Sequence, residues 1–128
     1  MKKLLTLVLL ITFGGLTQAS DLKLTGFAYP FSVERITGLW EADLGKYGCQ
    51  VTLSLATFES MLEPSADAAA SYANYDVRAK LSAQDGRTYF VDKSGNVRQG
   101  STFAHIDTVW LWGAFIREPN EPCVGATK

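Results

Sequence analysis

The chain has 128 residues, 47% hydrophobic and 20% charged, with a formal net charge of −1. That balance belongs to an ordinary globular protein with room for one domain, and it excludes a coiled coil, a collagen-like rod and a disordered tail. With 12 Lys and Arg against 13 Asp and Glu there is no basic excess to drive nucleic-acid binding, and one His with two Cys is too few for an ordinary Cys/His zinc site.

The amino-terminal stretch reads as an address. Lys2 and Lys3 precede an apolar run from Leu4 to Phe13, Gly14 and Gly15 break it, and Thr17-Gln18-Ala19 offers small residues where a signal peptidase reads. The expectation is a secretory signal peptide over residues 1–19, with the mature domain over residues 20–128. The apolar run is shorter than the roughly 20 residues that a membrane span needs. No Cys lies near the cleavage point to carry a lipid anchor. The short, Lys-led signal has a bacterial look, so the product is expected in the periplasm or outside the cell. In such an oxidising compartment Cys49 and Cys123 are expected to form a disulfide. Closing that loop would stabilise the fold by about 4 kcal/mol in the chain-entropy model.

Along the mature chain the dominant period is two. Residues 22–29 read as a first strand that Pro30 ends. In residues 40–44, Trp40, Ala42 and Leu44 alternate with Glu41 and Asp43. In residues 49–55, Cys49, Val51, Leu53 and Leu55 alternate with Gln50, Thr52 and Ser54. Gly45 and Gly48 lie between these two segments, which predicts an antiparallel hairpin. Residues 64–74 break the pattern: Ala66, Ala69, Ala70 and Ala73 have helical spacing, which predicts a short, weakly buried helix. Residues 75–82 alternate again, with Tyr75, Val77, Ala79 and Leu81 on one side. Asp85-Gly86 turns that strand into residues 88–92, and Lys93-Ser94-Gly95-Asn96 turns those into residues 97–101, so a meander is expected. Residues 108–116 are almost all apolar and read as a strand buried on both faces, a short buried helix being the other reading. The carboxyl-terminal residues 117–128 read as irregular apart from Cys123. About seven strands with regular turn signals predict a mainly β fold, a small antiparallel barrel or sandwich with one Ala-rich helix.

Gly38-Leu39-Trp40-Glu41 followed by Cys49-Gln50-Val51-Thr52-Leu53 resembles the Gly-x-Trp and Cys-x-Leu-x-Leu opening of small secreted bacterial inhibitors of metalloproteases. The resemblance covers some sixteen residues and implies an eight-stranded barrel. That family's disulfide closes a short loop, whereas Cys123 stands at the far end here, and the Ala-rich segment has no counterpart in it. No inhibitory residue is carried over.

Chemistry-bearing groups are few. His105 is two residues before Asp107, so on a strand the pair would share a face as in a hydrolytic triad, but no nucleophile-elbow pattern surrounds any Ser. Asp92-Lys93-Ser94-Gly95-Asn96 has oxygens at alternate positions, as a calcium loop does. It lacks the later acidic ligand, and the same residues suit a hairpin turn. Glu41 with Asp43, and Asp76 beside Arg78 and Lys80, read as solvated strand faces. Trp110 and Trp112 would face one way on a strand and could form a stacking platform. Tyr29, Phe31 and Tyr47 stand where the chain leaves the sheet and are expected to be exposed. Tyr29, Phe31, Tyr47, Trp110 and Trp112 are therefore the candidate binding residues. No cofactor, no metal and no catalysis are expected. The expected function is a small exported protein-binding module, inhibitor- or immunity-like, whose partner is another envelope or extracellular protein. A sugar- or lipid-binding barrel is the second reading, and a hydrolase using His105 and Asp107 the third.

Overall fold

The computed structural model describes residues 22–35 and 37–117. The expected signal peptide, the irregular carboxyl-terminal residues and Cys123 lie outside the described residues. The fold is mainly β. Seven strands, the last only two residues long, form one antiparallel sheet in the order β6-β5-β4-β3-β1-β2-β7. They are β1 (Lys23–Ala28), β2 (Cys49–Ser54), β3 (Val77–Ala83), β4 (Thr88–Asp92), β5 (Asn96–Gln99), β6 (Thr102–His105) and β7 (Ile116–Arg117). The sheet is open: β6 and β7 are its two edges and do not pair with each other. Among the described residues the closure of a barrel, and with it the eight-stranded barrel that the resemblance implied, is not formed. The described strands belong to one sheet rather than to the two of a sandwich.

Alternation along the strands sorts the side chains onto two faces. In-register rows carry Leu24, Leu53 and Ala83, then Val51 and Leu81 flanking Gly26, then Ala28, Cys49, Ala79 and Val91 onto one face. Two helices cover that face. Helix α1 (Leu55–Met61) contributes Leu55 and Phe58, and helix α3 (Thr108–Ala114) contributes Leu111; Phe31, Ile106 and Phe115 complete the core. At Gly26 a side chain would collide with the Lys80 carbonyl oxygen, so the central pairing of β1 with β3 requires glycine there. The opposite face carries Thr25, Thr52, Ser82 and Thr88 in one cross-strand row. Its far end is covered by the long β1–β2 connection, where Tyr29, Leu39, Leu44 and Val77 form a second apolar cluster with Phe27, Tyr72 and Phe90. Helix α2 (Ala68–Ser71) is a four-residue fragment of the expected Ala-rich helix and buries only Ala68.

Several expected elements differ. Residues 40–44 are not a strand. Trp40 N–H donates to the Asp43 carboxylate at 2.8 Å, and a 3-10 turn over Glu41–Asp43 follows. β2 pairs with β1 and β7 instead, a non-local choice that local periodicity does not encode. Residues 108–114 are helical because the Asp107 carboxylate accepts the backbone N–H groups of Val109 (2.9 Å) and Trp110 (3.2 Å) and so caps the first turn. Ser54 caps α1 in the same way, accepting from Thr57 N–H, which ends β2 where the apolar run continues. The meander β3–β4–β5 is as expected, with β6 added to its edge. One bulge alters it. The register shifts between Val77 and Ala79, so Val77 joins the second cluster while Ala79 stays in the first. Arg78, expected on a solvated face, is fully buried at 0% exposure.

Candidate functional site

The five candidate binding residues do not form one surface. Tyr29 and Phe31 are buried, at 2% and 6% exposure, which corrects their expected exposure. The chain after Pro30 folds back because Arg78 Nη1 donates to the carbonyls of Pro30 (2.6 Å) and Val33 (2.7 Å). Tyr47 is half-buried, and the Arg35 guanidinium lies 5.1 Å from its ring centroid and 5.2 Å from that of Tyr29. Two of the expected aromatics thus hold one arginine. Trp112 meets Phe31 edge-on at 6.4 Å and Phe115 at 6.0 Å, and with Thr108 and Val109 it borders a cleft of about 310 Å³. Trp110 is half-buried against the main core. On helix α3 the two indoles point to different sides, so the shared platform expected of a strand is not formed. Cys49 is buried at the start of β2, in register with Ala28 of β1, and among the described residues no cysteine is free.

The polar candidates are tied to the backbone. His105 Nε2 lies 3.2 Å from the Ser94 carbonyl oxygen, and Asp107 caps α3. Asp92 is 1% exposed. Its Oδ1 accepts from the N–H groups of Ser94 and Asn96, and its Oδ2 from Ala73 N–H and the Asn96 side-chain amide. That carboxylate organises the β4–β5 turn and ties it to the end of the α2 segment. Among the described residues no group of three or more His, Cys, Asp or Glu is placed to hold a metal ion.

The groove that does assemble was not expected from sequence. It measures about 560 Å³ and lies on the second face of the sheet, where Trp40, Glu41 and Ala42 from the β1–β2 connection meet Tyr72, Asn74, Arg98 and Phe103. Trp40 is 55% exposed. Its base is held by Val77 N–H donating to the Leu39 carbonyl at 2.6 Å, together with the Asp43 contact. Arg98 Nε and Nη2 donate to the two Glu41 carboxylate oxygens at 3.0 and 2.9 Å, a two-point contact that holds both groups near one plane. Tyr72 Oη donates to Glu41 Oε2 at 2.8 Å, and the Tyr72 ring tilts against Phe103 at 5.9 Å. Burial, and then the adjoining Glu41 carboxylate, push the Tyr72 pKa well above its ordinary value, so the phenol remains a neutral donor. Arg98 also lies 5.0 Å from the Phe90 ring centroid. An exposed indole beside fixed planar polar groups can bind a ligand that has one apolar face and a hydroxyl-bearing edge.

A second cluster lies beside α1. Tyr89 Oη donates to Glu59 Oε2 at 2.8 Å, and Arg87 Nη1 donates to the same oxygen. Burial, then the hydrogen bond to Glu59, push the Tyr89 pKa up to about 12. An unfolded phenol titrates near its ordinary value of 10.0, so above that pH the unfolded state sheds a proton that the folded state retains. Stability is expected to be intact below about pH 10 and to fall as the pH rises toward 12. Denaturation midpoints across this window should fall less steeply for Tyr89→Phe than for the unaltered chain. Equal slopes would remove Tyr89 as a cause.

No family model, curated protein or solved structure matches the chain. The functional reading therefore rests on the residues themselves.

Proposed function

We propose that this chain is a small exported binding module that runs no reaction of its own and engages its partner through the Trp40 groove. The observation that carries this reading is Trp40 itself: a large aromatic ring left 55% exposed on a fixed turn, beside an arginine and a tyrosine. Trp, Tyr and Arg dominate binding energy at recognition surfaces, and exposed aromatics on a braced scaffold lose little entropy on docking. An inhibitor or immunity protein acting on another envelope or extracellular protein has this character. A small sugar ligand is the second reading, favoured by the planar polar groups of Arg98, Glu41 and Asn74 in the groove; a lipid would call for a more apolar lining.

Export and the Cys49–Cys123 bridge belong to the same proposal. The intact mass of the secreted product should match residues 20–128 less two hydrogens. A mass that includes residues 1–19, or two thiols that react with a maleimide in the unfolded protein, would contradict it. The groove is tested in the producing cell by placing a photoreactive residue at Ala42, which is exposed and lines it. A discrete adduct is expected from position 42 and none from Gln84, which is exposed beyond β3. Adducts from Gln84 alone would move the contact surface away from Trp40.

A further inference from the structure

We infer that the Trp40 groove reads a neutral sugar unit of a glycan. This rests on the reading that the groove is the recognition surface and goes beyond it: the unit recognised is a sugar, carried by the envelope or extracellular partner. Three features carry it. The first is the half-exposed Trp40 ring, a flat apolar surface on which the C–H face of a pyranose can stack.

The second is charge. Arg98 is the cation of the groove and Glu41 its anion, and their two-point contact cancels them. An anionic or cationic ligand would have to break that pair, whereas a neutral one need not. The pair is not exhausted as a hydrogen-bonding group. Arg98 has five N–H donors, and three are engaged: two by Glu41 and one, on Nη1, by the Gly100 carbonyl at 2.8 Å. Glu41 Oε1 accepts one hydrogen bond, from Arg98, while Oε2 accepts from Arg98 and Tyr72. Two Arg98 N–H donors and further lone pairs of Glu41 remain for hydroxyls, each of which is both donor and acceptor.

The third is Asn74, whose exposed side-chain amide adds one donor and one acceptor function at the groove wall. The Tyr72 and Phe103 rings close the other side with apolar surface. A ligand that alternates an apolar face with a hydroxyl edge uses all of these groups at once.

Calorimetric titration of the mature protein with cellohexaose, maltohexaose and chitohexaose tests this, with inorganic phosphate as the charged control. Saturable binding of at least one oligosaccharide is expected at a Kd of about 1 mM or tighter. Trp40→Ala should weaken it at least about tenfold, Asn74→Ala by less, and Trp40→Phe only slightly, since the ring is kept. Circular dichroism checks that each variant is folded. A second arm covers any glycan with vicinal diols; chains of 1,4-linked N-acetylglucosamine lack them in their internal units, and chitohexaose covers those. Mild periodate, which cleaves vicinal diols, is applied to envelope material before it meets protein carrying the photoreactive residue at position 42, and it should abolish the adduct. The inference is overturned if no oligosaccharide binds and the adduct survives periodate; phosphate binding that displaces the Arg98–Glu41 contact would also overturn it. An adduct that survives periodate but is lost in Trp40→Ala leaves the groove as the recognition surface of a protein partner and removes only the sugar.

Discussion

Replacing Arg78 with alanine is expected to destabilise the protein by about 3 kcal/mol, the lower end for removing one partner from a buried ion pair, because the Asp76 side chain is 21% exposed. Domains of this size are stable by about 5–15 kcal/mol, so much of the margin would go. Arg78 is fully buried, pairs with Asp76 at 2.9 Å and donates to the carbonyls of Pro30 and Val33. Its guanidinium also lies 5.3 Å from the Tyr29 ring centroid. Truncation strands two carbonyls and a carboxylate together, in a structure whose described residues hold no unsatisfied buried side-chain polar atom. The connection from β1 toward Trp40 would lose its side-chain fastening to β3 and keep only the backbone bonds of Tyr29 and Leu39. Arg78→Lys keeps the charge but not the fork and should recover only part of the loss. Urea denaturation measures both. A loss below about 1 kcal/mol, typical of a surface pair, would show that the connection is held by its apolar contacts instead.

The meander was legible because its signals are local. Residues 75–82 and 88–92 alternate cleanly, and Gly86 and Gly95 supply the positive φ that their turns adopt. β1 was legible from alternation and Pro30. The order of the sheet was not, since β2 joins β1 across more than twenty residues and nothing in either strand names its partner. The helices α1 and α3 carry caps that can be read in sequence, and for residues 108–114 the short buried helix is the second of the two readings the residues allow. Ser54 and Asp107 each stand before an apolar run, but both runs also suit a strand, and in a run this short hydrophobicity does not decide between a helix and a strand. Residues 40–44 show the opposite failure. Their alternation is genuine, yet Asp43 is short enough to reach back to Trp40 N–H, and the turn wins.

The site was less legible than the fold for the same physical reason. Alternation places Trp40 on the apolar side of a strand, and its exposure follows only from the turn. Tyr29 and Phe31 have the sequence position of exposed loop aromatics, but a buried arginine 45 residues on from Val33 draws that loop into the core. Glu41 and Arg98 are 57 residues apart, and no motif joins them. Tyr72 lies in an Ala-rich segment whose spacing signals only a weak helix, yet it is the aromatic that brings that segment to the groove. The one available signal was the presence of a Trp and an acid, Trp40-Glu41, just before a glycine-flanked turn.

Trp40→Ala should have the largest effect on recognition and little on the fold, because its side chain is more than half exposed and the turn beneath it is made by Asp43 and Leu39 backbone contacts. Loss of a hot-spot tryptophan costs about 2 kcal/mol or more, roughly a thirtyfold change in Kd. The central claim is tested most directly by isolating the species that cross-links from Ala42 and measuring its affinity for the unaltered protein and for Trp40→Ala, with Gln84→Ala as the control. A fall of about thirtyfold with Trp40→Ala, and none with Gln84→Ala, is the predicted result. Equal affinity of all three proteins would place recognition outside the groove and contradict the account.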